Sequence, residues 1–135
     1  LTIFSFVLLL MLLSWSGCNN TSADCSPSAD CITEPIEYGE LNIKLTIDAE
    51  NPLVPVTIFR GNVEDNDTIY FIELEEKNHR VYFETDVRYS ATAEYKRVTQ
   101  TIRAIDGDKI NLKKKNDCGQ DCYEVTPGYI DLRLK

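Results

Sequence analysis

The stretch VRYSATAEY, residues 87–95, decides the fold class of this chain. Val87, Tyr89, Ala91, Ala93 and Tyr95 alternate with Arg88, Ser90, Thr92 and Glu94. Successive side chains of an extended strand point to opposite faces, so this period of two puts one set in a core and the other in water. The pattern recurs in both directions. Upstream, Leu41, Ile43, Leu45 and Ile47 alternate with Asn42, Lys44 and Thr46, and Val54, Val56 and Ile58 repeat it. Thr68 to Leu74 is more continuously apolar and is therefore expected to be a more central strand; Val81 to Phe83 is a short one. Downstream come Thr101 to Ile105, then Ile110 and Leu112, and finally Ile130, Leu132 and Leu134.

Turn-forming residues separate these runs: Glu50-Asn51-Pro52, Gly61-Asn62, Asp65-Asn66-Asp67, Lys77-Asn78, Asp106-Gly107-Asp108 and Pro127-Gly128. No window carries a helical period. The reading is an all-β chain, an antiparallel β-sandwich of about seven to eight strands over residues 41–135. The stretch Thr85 to Ala93 resembles a strand of the transthyretin-like and immunoglobulin-like domains of bacterial surface proteins, where a turn leads into a Tyr followed by alternating small residues. In a sandwich such a Tyr buries its ring and returns its hydroxyl to the upstream backbone, a role that falls on Tyr89. The inter-sheet Cys pair and core Trp of antibody domains are missing, and so broad a fold carries no function with it.

The N-terminus reads differently. Leu1 to Gly17 holds no charged residue, and Ile3 to Leu13 is apolar apart from Ser5. Such a run is shorter than the roughly 20 residues a membrane span needs, but it has the length of a signal-peptide core. With no initiator Met or basic segment ahead of it, the chain is expected to lack the first residues of that signal. Ser16-Gly17-Cys18 resembles the lipobox of bacterial lipoproteins, with Trp15 where that family usually has an aliphatic residue. The resemblance implies cleavage before Cys18 and lipid on that cysteine, and stable anchoring takes more than one acyl chain. The expected organisation is a signal peptide at 1–17, a lipidated tether at 18–40 and the sandwich at 41–135.

The formal net charge of −8 lies after Cys18, which disfavours nucleic acid and anionic lipid headgroups as partners. Of the five cysteines, Cys18 is assigned to lipid. Cys25, Cys31, Cys118 and Cys122 remain, an even set that in an exported chain reads as two disulfides. Strand parity puts the entry of the tether at the end opposite Cys118 and Cys122. Local pairs, Cys25–Cys31 and Cys118–Cys122, are therefore expected. Cys118-Gly119-Gln120-Asp121-Cys122 suits neither a redox pair, which favours two intervening residues, nor a zinc site, which needs four ligands.

If successive loops alternate between the ends of the sandwich, Asp65, Asp67, Asp86, Asp106 and Asp108 gather at one end. Oxygen ligands from several loops are what calcium requires. The plainer reading is separate hydrated turns, chosen for their backbone geometry. His79, the single histidine, falls in the polar turn Glu75 to Arg80 with no nucleophile or orienting acid beside it. Lys113-Lys114-Lys115 reads as a solvated strand end.

With no nucleophile motif or Gly-rich loop, the chain is expected to be non-catalytic and to need no cofactor. The leading expectation is a lipid-anchored protein of the bacterial cell envelope, at the outer membrane or cell surface. Its membrane contact would run through the N-terminal lipid, and its partner would be another envelope protein or a glycan. A carbohydrate-binding module is the alternative, with Tyr70, Tyr82 and Tyr129 as candidate outward stacking residues. A small carboxylate-dependent hydrolase is the third reading.

Overall fold

The computed structural model describes residues 24–135. The lipobox and Cys18 lie outside the described residues. Within them the fold is an all-β sandwich. Nine strands run in the order β1 (Tyr38–Lys44), β2 (Val54–Arg60), β3 (Thr68–Leu74), β4 (Asn78–Glu84), β5 (Arg88–Arg97), β6 (Gln100–Lys109), β7 (Asn111–Asp117), β8 (Gln120–Thr126) and β9 (Gly128–Asp131). They form a three-stranded sheet β4-β1-β9, a four-stranded sheet β3-β2-β5-β6 and a β7-β8 hairpin. All pairs are antiparallel except β1 with β9. Among the described residues no helix is long and apolar enough to cross a membrane.

The alternation read from the sequence is the core. Leu41 and Ile43 of β1, Val54, Val56 and Ile58 of β2, and Ala91 and Ala93 of β5 are buried in one cluster with Ile110, Ile130 and Leu132. Two tyrosines frame it. Tyr89 buries its ring and donates its hydroxyl hydrogen to the Glu84 carbonyl at 3.0 Å, the corner arrangement expected of it. Tyr95 is also fully buried. Its hydroxyl donates to the Leu132 carbonyl at 2.7 Å and accepts the Thr46 amide at 3.1 Å, tying the far end of β5 to the segments that follow β1 and β9.

Several expectations are corrected. Thr68 to Leu74 is not central: β3 is an edge strand. Its apolar character is two-sided because Phe71 projects to solvent while Ile72 faces inward toward the core. Asp106-Gly107-Asp108 is not a turn but lies inside β6, opposite Ala91, Ser90 and Tyr89. A Cβ on Gly107 would stand 3.0 Å from the Tyr89 carbonyl, so glycine there permits close strand approach. His79 belongs to β4, paired with Ile43, and not to a polar turn.

The cysteines pair differently from expectation. The bonds are Cys25–Cys118 and Cys31–Cys122, with Cα separations of 5.3 and 5.0 Å. Neither local pair forms. Cys118 and Gly119 are the two left-handed residues of a tight hairpin turn, at φ 53° and 80°. Cys122 lies further along β8, opposite Lys115. At about 3.3 Å per residue, Cys118 and Cys122 stand on the order of 10 Å apart, beyond disulfide reach. The segment upstream instead lies against the hairpin. The Ser28 amide donates to Asp117 Oδ2 and the Tyr123 amide to the Ile32 carbonyl, both at 2.8 Å. Over its described residues, the stretch expected to be a free tether is thus stapled to β7-β8, at the end from which parity had excluded it.

Candidate functional site

Four of the five candidate aspartates are spent on the backbone. Asp65 Oδ2 accepts the Asn62 amide of its own loop at 2.8 Å. Asp86 Oδ1 accepts the Leu112 amide at 3.1 Å and lies 3.5 Å from Lys109 Nζ. Asp106 and Asp108 turn toward β9, where their Oδ2 atoms accept the Asp131 amide at 2.7 Å and the Tyr129 amide at 2.8 Å. Only the main chain of Asp67 is engaged, its carbonyl accepting the Arg60 amide. Among the described residues no group of three or more His, Cys, Asp or Glu side chains is placed to hold a metal ion. Lys114 pairs with Asp121 at 2.8 Å across the hairpin, and that contact holds the Asp121 carboxyl below its ordinary range.

The tyrosines behave differently. β1 points Gly39, Leu41 and Ile43 inward, so Tyr38, Glu40, Asn42 and Lys44 line the outer face of the three-stranded sheet. Register carries this parity to its neighbours. Tyr82 and Arg80 of β4 stand opposite Glu40 and Asn42, and Tyr129 of β9 stands opposite Asn42. Directly opposed residues share a face. Tyr38, Tyr82 and Tyr129 therefore form one surface, with 58%, 65% and 59% of their areas exposed. Tyr70 does not join them. It opposes Ile58 on the inner side of β3, and its ring meets Phe83 edge-on at a centroid distance of 6.3 Å.

Polar groups lie between the rings. Tyr82 Oη donates to Glu40 Oε2 at 3.2 Å, and Arg80 Nη1 lies 3.7 Å from the same oxygen. Glu84 pairs with Arg60 at 3.2 Å. Asp131 pairs with Arg133 at 2.7 Å, and that guanidinium holds its carboxyl well below the usual carboxylate range. The outward positions of β4, β1 and β9 carry no aliphatic side chain. This face can offer flat apolar rings and hydrogen-bonding groups together; it holds no paired nucleophile and base.

Comparison with known protein families, curated proteins and solved structures finds no match to this chain. Of the three tyrosines, Tyr82 and Tyr129 are candidates by sequence and Tyr38 is not, because it falls in the stretch assigned to the tether. The signal for it was present. Extending the alternation that begins at Leu41 back by three residues puts Tyr38 in phase with Glu40 and Asn42.

Proposed function

We propose that this chain is an exported, lipid-tethered module of a bacterial cell envelope, with a non-catalytic binding role carried by the Tyr38-Tyr82-Tyr129 face. The observation that carries the export half is the pair of disulfides, Cys25–Cys118 and Cys31–Cys122. Bonds of this kind persist in oxidising compartments and are rare in reducing ones. The uncharged run before Ser16-Gly17-Cys18 fits the same compartment and supplies a lipidation site. The binding half is supported by the three exposed tyrosines, since large exposed aromatic side chains gathered on one sheet face mark interaction sites.

Metabolic labelling of expressing cells with palmitate tests the anchor. The wild-type chain is expected to take up label and to sediment with membranes. Cys18→Ala is expected to lose both. A wild-type chain that remains unlabelled, or a Cys18→Ala variant labelled equally well, overturns the lipid assignment.

A further inference from the structure

We propose that the tyrosine face binds a chain of neutral sugars laid obliquely across β4, β1 and β9. The inference rests on reading this face as the recognition surface, and it names the ligand. The first argument is spacing. Tyr82 and Tyr129 flank β1, opposite Glu40 and Asn42 respectively. With strands about 4.8 Å apart and a rise of about 3.3 Å per residue, their Cα atoms are about 12 Å apart, and Tyr38 lies about 8 Å from Tyr82. One pyranose ring covers one phenol and no more. A sugar ligand that touches all three rings is therefore an oligosaccharide and not a monosaccharide.

The second argument is chemistry. A sugar presents an apolar C–H face to an aromatic ring and a rim of hydroxyls that need donors and acceptors. Tyrosine supplies an apolar body with a polar tip. Glu40, Asn42 and Arg80 stand among the rings, and Lys44 just beyond Tyr129, as partners for the rim.

The third argument is charge. The face's carboxylates are paired with guanidinium groups, Glu40 with Arg80, Glu84 with Arg60 and Asp131 with Arg133. A surface whose carboxylates are neutralised in place has no unpaired acid to call for a cationic ligand. The net charge of −8 on the chain repels polyanions such as nucleic acid or an acidic glycan. A protein partner fits less well, because the centres of protein interfaces are depleted of charged residues and here Glu40 and Arg80 stand among the rings. The exposed Phe71 and Ile105 lie on the other sheet.

Titration of the disulfide-bonded protein with hexasaccharides of glucose and of N-acetylglucosamine, alongside the two monosaccharides, tests this. A hexasaccharide is expected to bind and its monomer not. Tyr82→Ala and Tyr129→Ala are each expected to weaken binding about five- to ten-fold, the scale of one aromatic contact. Phe71→Ala, on the opposite sheet, is expected to leave it unchanged. Absence of binding to either hexasaccharide, or binding indifferent to both tyrosine substitutions, overturns the proposal. Capture of an envelope fraction separates the two levels. Capture that needs Tyr82 and Tyr129 but resists competition by the hexasaccharides rejects the sugar and keeps the face. Capture indifferent to both tyrosines rejects the face itself.

Discussion

Tyr89 and Tyr95 bracket β5 and make unequal use of the same phenol. Tyr89 has one hydrogen bond, to Glu84. Tyr95 has two, one donated and one accepted, deeper in the core. Replacing either by Phe keeps the ring and removes the hydroxyl, stranding the partners. A stranded buried polar group costs about 1–3 kcal/mol. Tyr95→Phe strands both a carbonyl and an amide, whereas Tyr89→Phe strands one carbonyl near the surface. Urea denaturation is expected to show Tyr95→Phe less stable than wild type by about 2–3 kcal/mol and Tyr89→Phe by about 1 kcal/mol. Equal losses would show that the second bond of Tyr95 contributes nothing. Tyr89 was legible because a Tyr after a turn, followed by small alternating residues, has few other uses. The double role of Tyr95 was not, because its partners Thr46 and Leu132 are brought together only by the sheet order.

At the scale of the element, β6 shows how a strand can imitate a turn in sequence. Asp-Gly-Asp has turn composition, since Asp and Gly favour local bends. Here the two carboxylates replace a missing strand partner. Asp108 takes the Tyr129 amide and Asp106 the Asp131 amide, so β9 is closed on one side by β1 and on the other by side chains of β6. No local pattern announces this, because it depends on β9 arriving alongside. In Asp106→Ala and Asp108→Ala the corresponding amide loses its acceptor. Hydrogen exchange is expected to speed at Asp131 in the first variant and at Tyr129 in the second, with a stability loss of about 1–2 kcal/mol each. Unchanged exchange at both amides would mean that the clips are dispensable. Tyr129 is one of the three face tyrosines, so Asp108→Ala is also a way to loosen the face without touching a ring.

The whole molecule is where strand-by-strand reading fails most. Parity assumed that each loop crosses from one end to the other of a simple meander. In the structure β1 pairs with β4 and with β9 while β2 joins the other sheet, so chain order and spatial order separate. The error moved the N-terminal segment to the wrong end and broke the disulfide prediction. The real bonds join residues 93 and 91 positions apart. In the chain-entropy model, closing a loop of that length stabilises by about 4–5 kcal/mol. With one bond in place, the second closes only the small ring between the stapled segment and the hairpin, which is about 3 kcal/mol in the same model. Either Cys25→Ser with Cys118→Ser, or Cys31→Ser with Cys122→Ser, is thus expected to cost about 3 kcal/mol. Removing all four cysteines is expected to cost about 7 kcal/mol, more than the two losses summed. Thermal and urea unfolding of the three variants reads this, and strict additivity would contradict it.

The stapled segment also decides how the molecule carries mechanical load. A pull on the chain upstream of Asp24 reaches the Cys25 sulfur first and passes through it into the tip of the β7-β8 hairpin. A second covalent rung at Cys31 and Cys122 lies behind it. Only beyond both does the backbone run on to Tyr38 and β1. Tension is therefore diverted before it reaches the central strand of the three-stranded sheet. Without the rungs the same pull would peel β1 from β4 and β9, taking Tyr38, Glu40 and Asn42 out of register with Tyr82 and Tyr129. With them, the register of the three tyrosines is insulated from tension on the N-terminal segment.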